Sequence, residues 1–270
     1  MASNILIISL LSFVLSFVFA LGGVGAAVIL IPALSWIGVP FNLARPTGLF
    51  VNCVSMLGAT WSNFREKKLD VKLGLPIIAS SIVMAPVGAW AGHFLPTQTL
   101  LLSFIVFLFF SGSMMIFFKG SKYADQYRED RPLAGPLCVG TLAGIVSGIL
   151  GVGGGGIIYP LMLVQGFNPK KVAMVSALSV PFSSFSAFIT YAAMGSVSSK
   201  VLIFAGLAGW FGGYLGTKVM QKKMRPQSVK RLLGGVLILI GIKFLWSMGL
   251  TGILQTVGGV ADKAQSMWFD

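Results

Sequence analysis

The chain has 270 residues, 56% of them hydrophobic and only 10% charged, where soluble domains average about 45–50% apolar and about 25% charged residues. Twenty Lys and Arg stand against seven Asp and Glu, a net charge of +13, and the mean hydropathy is +0.88. So little polar surface comes close to excluding a soluble enzyme, and 21 Phe and 6 Trp exclude disorder. A positive excess alone suits a nucleic-acid binder. Here the charges lie in short clusters between long apolar runs, so the expected partner is a lipid bilayer and not nucleic acid.

A membrane-spanning helix needs about 20 apolar residues. Residues 1–44 carry no charge, and neither do residues 132–169. Each run is too long for one span and suits two short ones. The first contains Gly22, Gly23 and Gly25, and the second Gly151, Gly153, Gly154, Gly155 and Gly156. Glycine tolerates the backbone of a tight turn, so each run divides into a helix, a non-helical break and a shorter helix starting near Ala26 or Gly155. Between and after these hairpins, single spans are expected at about 47–62, 73–93, 99–118, 173–192, 201–218 and 232–250, with Pro96 separating the second from the third. The N-terminus lacks a basic leader segment and reads as a first membrane segment. Cys53 and Cys138 lie in apolar runs, so neither a disulfide framework nor a metal site is expected.

The second half echoes the first at a shift of about 124–129 residues. Gly23-Val24-Gly25, Pro32 and Gly38 match Gly151-Val152-Gly153, Pro160 and Gly166. Ala44–Leu49 matches Ala173–Leu178, Gly88 and Gly92 match Gly212 and Gly216, and Gln98-Thr99 matches Gln227-Ser228. Two homologous membrane halves, 1–118 and 132–250, are expected, joined by a cytoplasmic linker 119–131 and followed by a tail 251–270. Cytoplasmic loops are enriched in Lys and Arg. If each glycine run is a hairpin, the halves have five segments each with inverted topology, and sixteen of the twenty basic residues fall on one face. If each run crosses once, ten basic residues fall on one face and nine on the other. The fold class expected is therefore an all-α polytopic membrane protein of two inverted-topology repeats, each opening with a glycine-broken hairpin.

Paired interrupted helices in inverted halves point to a transporter site. The helix after each break starts with unpaired N–H groups at the positive end of its dipole, which suits an anion. All seven acids lie in loops or the tail, whereas a cation site normally needs a carboxylate inside the membrane. The candidate substrate-binding residues are Gly23, Gly25 and Ala26 at the first break and Gly153, Gly154 and Gly155 at the second. Beside them stand the small donors Thr47, Asn52, Ser176 and Ser179, and Lys243, the one basic residue inside an expected span. Lys243 can face the cavity or snorkel outward past Trp246; the glycines can equally serve close packing and the hydroxyls interhelical bonding. Arg45 sits at the expected outer face, as an interfacial anchor or an attractor of anions. His93, at a span end, suits an interfacial position, and no acid–base set for catalysis is present.

The segment Gly151-Val-Gly-Gly-Gly-Gly-Ile-Ile-Tyr-Pro160, with Gly166 and Ala173–Leu178, resembles the TauE/SafE sulfite-exporter family, and Gly22–Pro32 is a weaker copy with Ala26 and Ala27 in place of two glycines. The resemblance covers nearly the whole chain. It implies a secondary transporter, not an enzyme, in a bacterial inner membrane, moving sulfite or an organosulfonate, with export favoured. An alternating-access site is expected between the hairpins. An anion channel, or a carrier of another small organic anion such as a carboxylate, is the alternative. No cofactor is expected; the coupling ion, proton or sodium, and the oligomeric state are left open by the sequence.

Overall fold

The computed structural model describes residues 2–37, 39, 41–66, 69–117, 130, 132–194, 199–223 and 231–246. The linker 119–131, apart from Asp130, and the tail 251–270 lie outside the described residues. Among the described residues every regular element is a helix. In chain order these are α1 (Ala2–Ala20), α2 (Ala27–Trp36), α3 (Phe41–Arg65), α4 (Val71–His93), α5 (Thr97–Phe117), α6 (Ala134–Leu150), α7 (Gly155–Val164), α8 (Pro169–Met194), α9 (Ser199–Lys223) and α10 (231–246).

Both charge-free runs divide where the glycines predict. Gly23 and Gly25 (φ 66° and 88°) end the α1 region, and Gly151, Gly153 and Gly154 (φ 80°, 80° and 75°) separate α6 from α7. Side chains with a Cβ are disfavoured at these angles, so a helix arriving there stops. The second arms, α2 and α7, have ten residues each, about 15 Å at 1.5 Å per residue, half of a hydrocarbon core of about 30 Å. The long helices outrun their apolar runs: α3 covers Phe41–Arg65 and α8 Pro169–Met194. Hydropathy locates the lipid-facing part of a helix, whereas the helix itself continues past it, in α3 through Pro46 and in α8 through Pro181.

The side-chain distribution is that of a multi-pass membrane protein. Val83, Val87 and Trp90 on α4, Leu102, Val106 and Phe110 on α5, and Ile203, Phe204, Leu207 and Phe211 on α9 are exposed, and they recur at the spacing of one helix face. The interior carries Ser12, Ser16, Asn52, Ser55, Ser147, Ser176 and Ser183, all fully buried. An apolar outer surface with small polar groups inside is stable when the surrounding solvent is lipid. By length and composition, Val71–His93, Gln98–Phe117 and Pro169–Met194 each suffice to cross a membrane, and α1, α2, α6 and α7 are shorter apolar helices.

The helices before and after residues 119–131 interleave: α6 lies against α4 and α1 against α9. Glycines bring these backbones together, since a Cβ on Gly88 would meet the Ile145 carbonyl, and one on Gly216 the Phe17 carbonyl. Those two contacts are related by a shift of 128 residues. They pair Gly88 with Gly216, one helical turn away from the Gly88–Gly212 match read in the sequence. Successive contacts set the directions. Gly140, Gly144 and Gly148 climb past Ile77, Ser81 and Ala85, so α6 and α4 are parallel, and Gly212 and Gly216 climb past Phe13 and Phe17, so α9 and α1 are too. Between α3 and α8, Arg45 meets Tyr191, Asn52 meets Ser184 and Thr60 meets Ala177, so these two run antiparallel.

At one end of the bundle two loops are tied together. Asp70 caps α4, its Oδ1 accepting the Leu73 N–H at 3.2 Å, and its Oδ2 pairs with Lys171 Nζ at 3.0 Å. Asn168 accepts the Lys170 N–H at 2.9 Å and so opens α8, with Pro169 at its first position, where no N–H is needed. The loop after α3 and the loop before α8 therefore lie on the same face.

Candidate functional site

The two glycine breaks meet at the centre of α3 and α8. A Cβ on Gly155 would collide with the Val24 carbonyl, so the start of α7 lies directly on the first break. Asn52, fully buried midway along α3, stands between the breaks. Its Oδ1 accepts the Ala27 N–H at 3.2 Å and its Nδ2 donates to Ser184 Oγ at 2.9 Å. The first bond fixes the amide orientation, because a backbone N–H only donates. A Cβ on Gly25 would strike Oδ1, and one on Gly153 would strike Nδ2. One carboxamide thus reaches both breaks, and glycine at 25 and 153 is what admits it.

The polar groups of the breaks divide unevenly. At the ends of α1 and α6 the carbonyls are occupied: Phe19 O accepts from Gly22 and Val24 N–H, Ala20 O from Gly23 N–H, and Ser147 O from Gly151 N–H. Gly23 O accepts Ser176 Oγ at 2.7 Å, Gly148 O accepts Tyr191 Oη at 2.7 Å, and Ile149 O accepts Arg45 Nη1 at 3.1 Å. Ser183 Oγ lies 3.3 Å from Gly153 O. At the starts of the second arms, Ala26 is the N-cap of α2 and its carbonyl receives Ile29 and Leu30 N–H, while the Ala27 N–H goes to Asn52. Gly154 caps α7 in a left-handed conformation, its carbonyl receiving Ile157 and Ile158 N–H. Among the described residues the Gly155 and Gly156 N–H groups make no hydrogen bond. With most carbonyls at the negative ends occupied, and with Asn52 taking the Ala27 N–H at the first break while the Gly155 and Gly156 N–H groups stay open at the second, the local field at the second break suits an anion.

The sequence-derived candidates therefore separate. Gly23, Gly25, Ala26, Asn52, Gly153, Gly154, Gly155 and Ser176 come together. Thr47 bonds Leu43 O within its own helix at 2.9 Å, and Ser179 bonds Val175 O at 2.9 Å on the side of α8 that faces Gly74 of α4. Lys243 is displaced from the site. It is exposed on α10, and its Nζ lies 3.9 Å from the Trp36 ring centroid at the far end of α2. Of its two sequence readings, outward snorkelling is the one this geometry corresponds to. A cleft of about 550 Å³ lined by Trp61, Phe64, Arg65, Leu69 and Val71 lies at the α3–α4 end and not at the breaks.

This two-break architecture accompanies a match over most of the chain: a family model described as the sulfite exporter TauE/SafE matches residues 8–244. The chain belongs to the TauE/SafE family. It is 24% identical to the Bacillus subtilis probable membrane transporter protein YunE over 90% of this chain and 98% of that one. It is 24% identical to the Methanocaldococcus jannaschii probable membrane transporter protein MJ0441, over 87% of this chain and 93% of that one. An Arabidopsis thaliana sulfite exporter TauE/SafE family protein 2 is 29% identical over 45% of this chain, a quarter of its own length. No solved structure matches. This TauE/SafE chain is accordingly a membrane transporter and not an enzyme.

Two placements in this family member are set by the fold. Ser184, a small donor further along the same span as Ser176 and Ser179, completes the Asn52 bridge. Arg45 is not at a surface. It is 6% exposed, with Nη1 bonded to Tyr191 Oη at 2.9 Å and to Ile149 O, and its guanidinium 4.5 Å from the Tyr191 ring centroid. Hydropathy alone assigns it to the edge of the span expected from about residue 47.

Proposed function

We propose that the protein is a secondary transporter of a small sulfur-containing anion, sulfite or an organosulfonate, which it exports across a bacterial inner membrane by alternating access. The meeting of the two breaks around Asn52 carries this reading. It gathers backbone N–H groups, a carboxamide and serine hydroxyls at mid-depth of the long helices, and the described helices contain no carboxylate. An oxyanion is solvated there by neutral donors and by the exposed N-terminus of α7. The second break is its main contact, since Asn52 already occupies the Ala27 N–H of the first.

The inverted five-plus-five repeat belongs to the same proposal. The antiparallel run of α3 against α8, the exchanged contacts of α1 and α6, and the half-length second arms all support it. So does the Asp70–Lys171 pair, because loops 65–72 and 170–171 share a face under the hairpin topology and lie on opposite faces if each glycine run crosses once. Direct contact between Gly155 and Val24 favours a carrier, with its path closed at the breaks, over an open channel. Coupling to a proton or to sodium is compatible with this arrangement.

The test is a panel of sulfite, thiosulfate, sulfate, sulfoacetate, taurine and carboxylates, scored by thermal stabilisation of the purified protein. A ligand that binds only the folded state raises its melting temperature. Stabilisation by sulfite or a sulfonate is the expected result; stabilisation by carboxylates alone moves the substrate class, and by cations alone contradicts the reading.

A further inference from the structure

We infer that the cleft between the end of α3 and the start of α4 binds an anionic phospholipid, with an acyl chain in the cleft and the phosphate at Arg65. The site lies apart from the two breaks and does not depend on the anion-transport reading.

The cleft holds about 550 Å³, and Arg65 is the only charged residue among its five lining residues. Trp61, Phe64 and Val71 are exposed there. The Trp61 and Phe64 rings stack, with centroids 6.3 Å apart and planes at 24°, so one wall is an aromatic ledge. The mouth joins faces already turned to lipid: Leu57, one turn before Trp61 on α3, and Leu75, one turn after Val71 on α4, are exposed as well. The apolar part of the cleft is therefore open to acyl chains. Depth orders the rest. Asn52 stands midway along α3, and at 1.5 Å per residue Trp61 lies about 14 Å and Arg65 about 20 Å further along the helix. Half a hydrocarbon core is about 15 Å. With the centre of α3 at the midplane, Trp61 falls where the chains end, a level at which Trp is enriched, and Arg65 falls among the headgroups. The ledge and the guanidinium follow the order in which a phospholipid presents its chain and its phosphate, and the planar fork of Arg65 matches two phosphate oxygens.

Charge selects the class of lipid. Residues 65–72 together with Lys170 and Lys171 carry six basic residues against two acidic ones, and the Asp70–Lys171 pair holds the two segments on one face. Basic residues beside a membrane attract anionic headgroups, whereas a zwitterionic headgroup brings no net charge to answer this excess. The other end of α4 supplies the contrast. Trp90 and Phe94 form an exposed aromatic pair there, 5.0 Å between centroids, but residues 94–99 contain no Lys or Arg. An aromatic pair alone is an interfacial anchor; the basic segment beside Trp61 and Phe64 turns the same element into a site for an anionic lipid.

The test is native mass spectrometry of the full chain in mild detergent, titrated with a phosphatidylglycerol and with a phosphatidylcholine of the same acyl chains. Wild type is expected to hold phosphatidylglycerol with a Kd at least about fivefold below that for phosphatidylcholine, the factor that one basic residue at a membrane surface contributes. Arg65→Gln is expected to lower this preference about fivefold and to leave phosphatidylcholine binding unchanged. Trp61→Ala removes part of the ledge and is expected to weaken both lipids. Lys200→Gln, at the start of α9 and outside the cleft, is expected to match wild type. Equal affinity of wild type for the two lipids, an undiminished preference in Arg65→Gln, or an equal loss in Lys200→Gln overturns the inference. If Arg65→Gln does not fold, unchanged phosphatidylglycerol affinity in Trp61→Ala overturns it. Displacement of the lipid by inorganic phosphate would assign the site to a free anion, and a dimer broken by Trp61→Ala would assign the cleft to a second copy of the chain; each result overturns it too.

Discussion

Asn52 and the glycines around it show how single residues determine whether the breaks meet. Gly155→Ala places a methyl group on the Val24 carbonyl, and Gly153→Ala adds a clash with the Asn52 amide to a strained φ of 80°. Overpacking of this kind costs about 1–3 kcal/mol and an unfavourable left-handed residue about 1–2 kcal/mol more. Both variants are expected to lower the melting temperature in detergent and to lose flux. Gly235→Ala, which has nothing within 4 Å of its added Cβ, is the control and is expected to behave as wild type. An equal loss in all three variants would mean that glycine content, not the meeting of the breaks, is what matters. The breaks themselves were legible at this scale, because positive-φ glycines announce themselves in sequence. The Asn52 bridge was not, because its partners Ala27 and Ser184 lie 25 and 132 positions away. The positions of Lys243, for which the sequence leaves two readings open, and of Arg45, expected at the outer face, turn on a related point. Hydropathy reports depth along a helix, whereas access to the site depends on the face a side chain occupies and on where the helix begins. Lys243 has the depth but faces outward, and Arg45 is drawn inside because α3 begins at Phe41.

Helix ends and helix crossings carry the next level. Two jobs of Asp70 are separable, capping α4 and pairing with Lys171. Asn is as good a cap as Asp, whereas Ala is not, and a partly exposed pair contributes about 0–1 kcal/mol. Asp70→Asn is therefore expected to cost less than about 1 kcal/mol, and Asp70→Ala about 1 kcal/mol more, measured as unfolding midpoints in detergent. Equal losses would mean that the cap contributes nothing. The element order and nearly every break were readable from glycine, proline and charge-free runs. The α4–α6 and α1–α9 crossings were not. Small-residue motifs mark a helix as able to approach another closely, but they do not identify the neighbour, and the structure moves the equivalence of Gly88 by a full turn, to Gly216.

For the whole molecule, the question is which loops share a side of the membrane. Single cysteines at positions 72, 170 and 200, in a background lacking Cys53 and Cys138, are expected to react with an impermeant thiol reagent from one side at 72 and 170 and from the other at 200. Labelling of 72 and 170 from opposite sides would restore the single-pass topology and dissolve the inverted repeat. The charge excess already leaned this way, since sixteen of twenty basic residues fall on one face when the runs are hairpins. Charge bias sets orientation, but it does not say that the hairpin tips touch; that contact arises only when the two halves interleave.

The central claim, that the joined breaks form the anion site of a carrier, is tested most directly by counterflow. Liposomes containing the full chain and preloaded with unlabelled sulfite should take up labelled sulfite faster than unloaded ones, with saturation. Asn52→Ala, which strips both breaks of their shared carboxamide, should abolish that stimulation while the protein remains folded by circular dichroism. Uptake that does not saturate and ignores internal sulfite, or full stimulation in Asn52→Ala, would contradict the account.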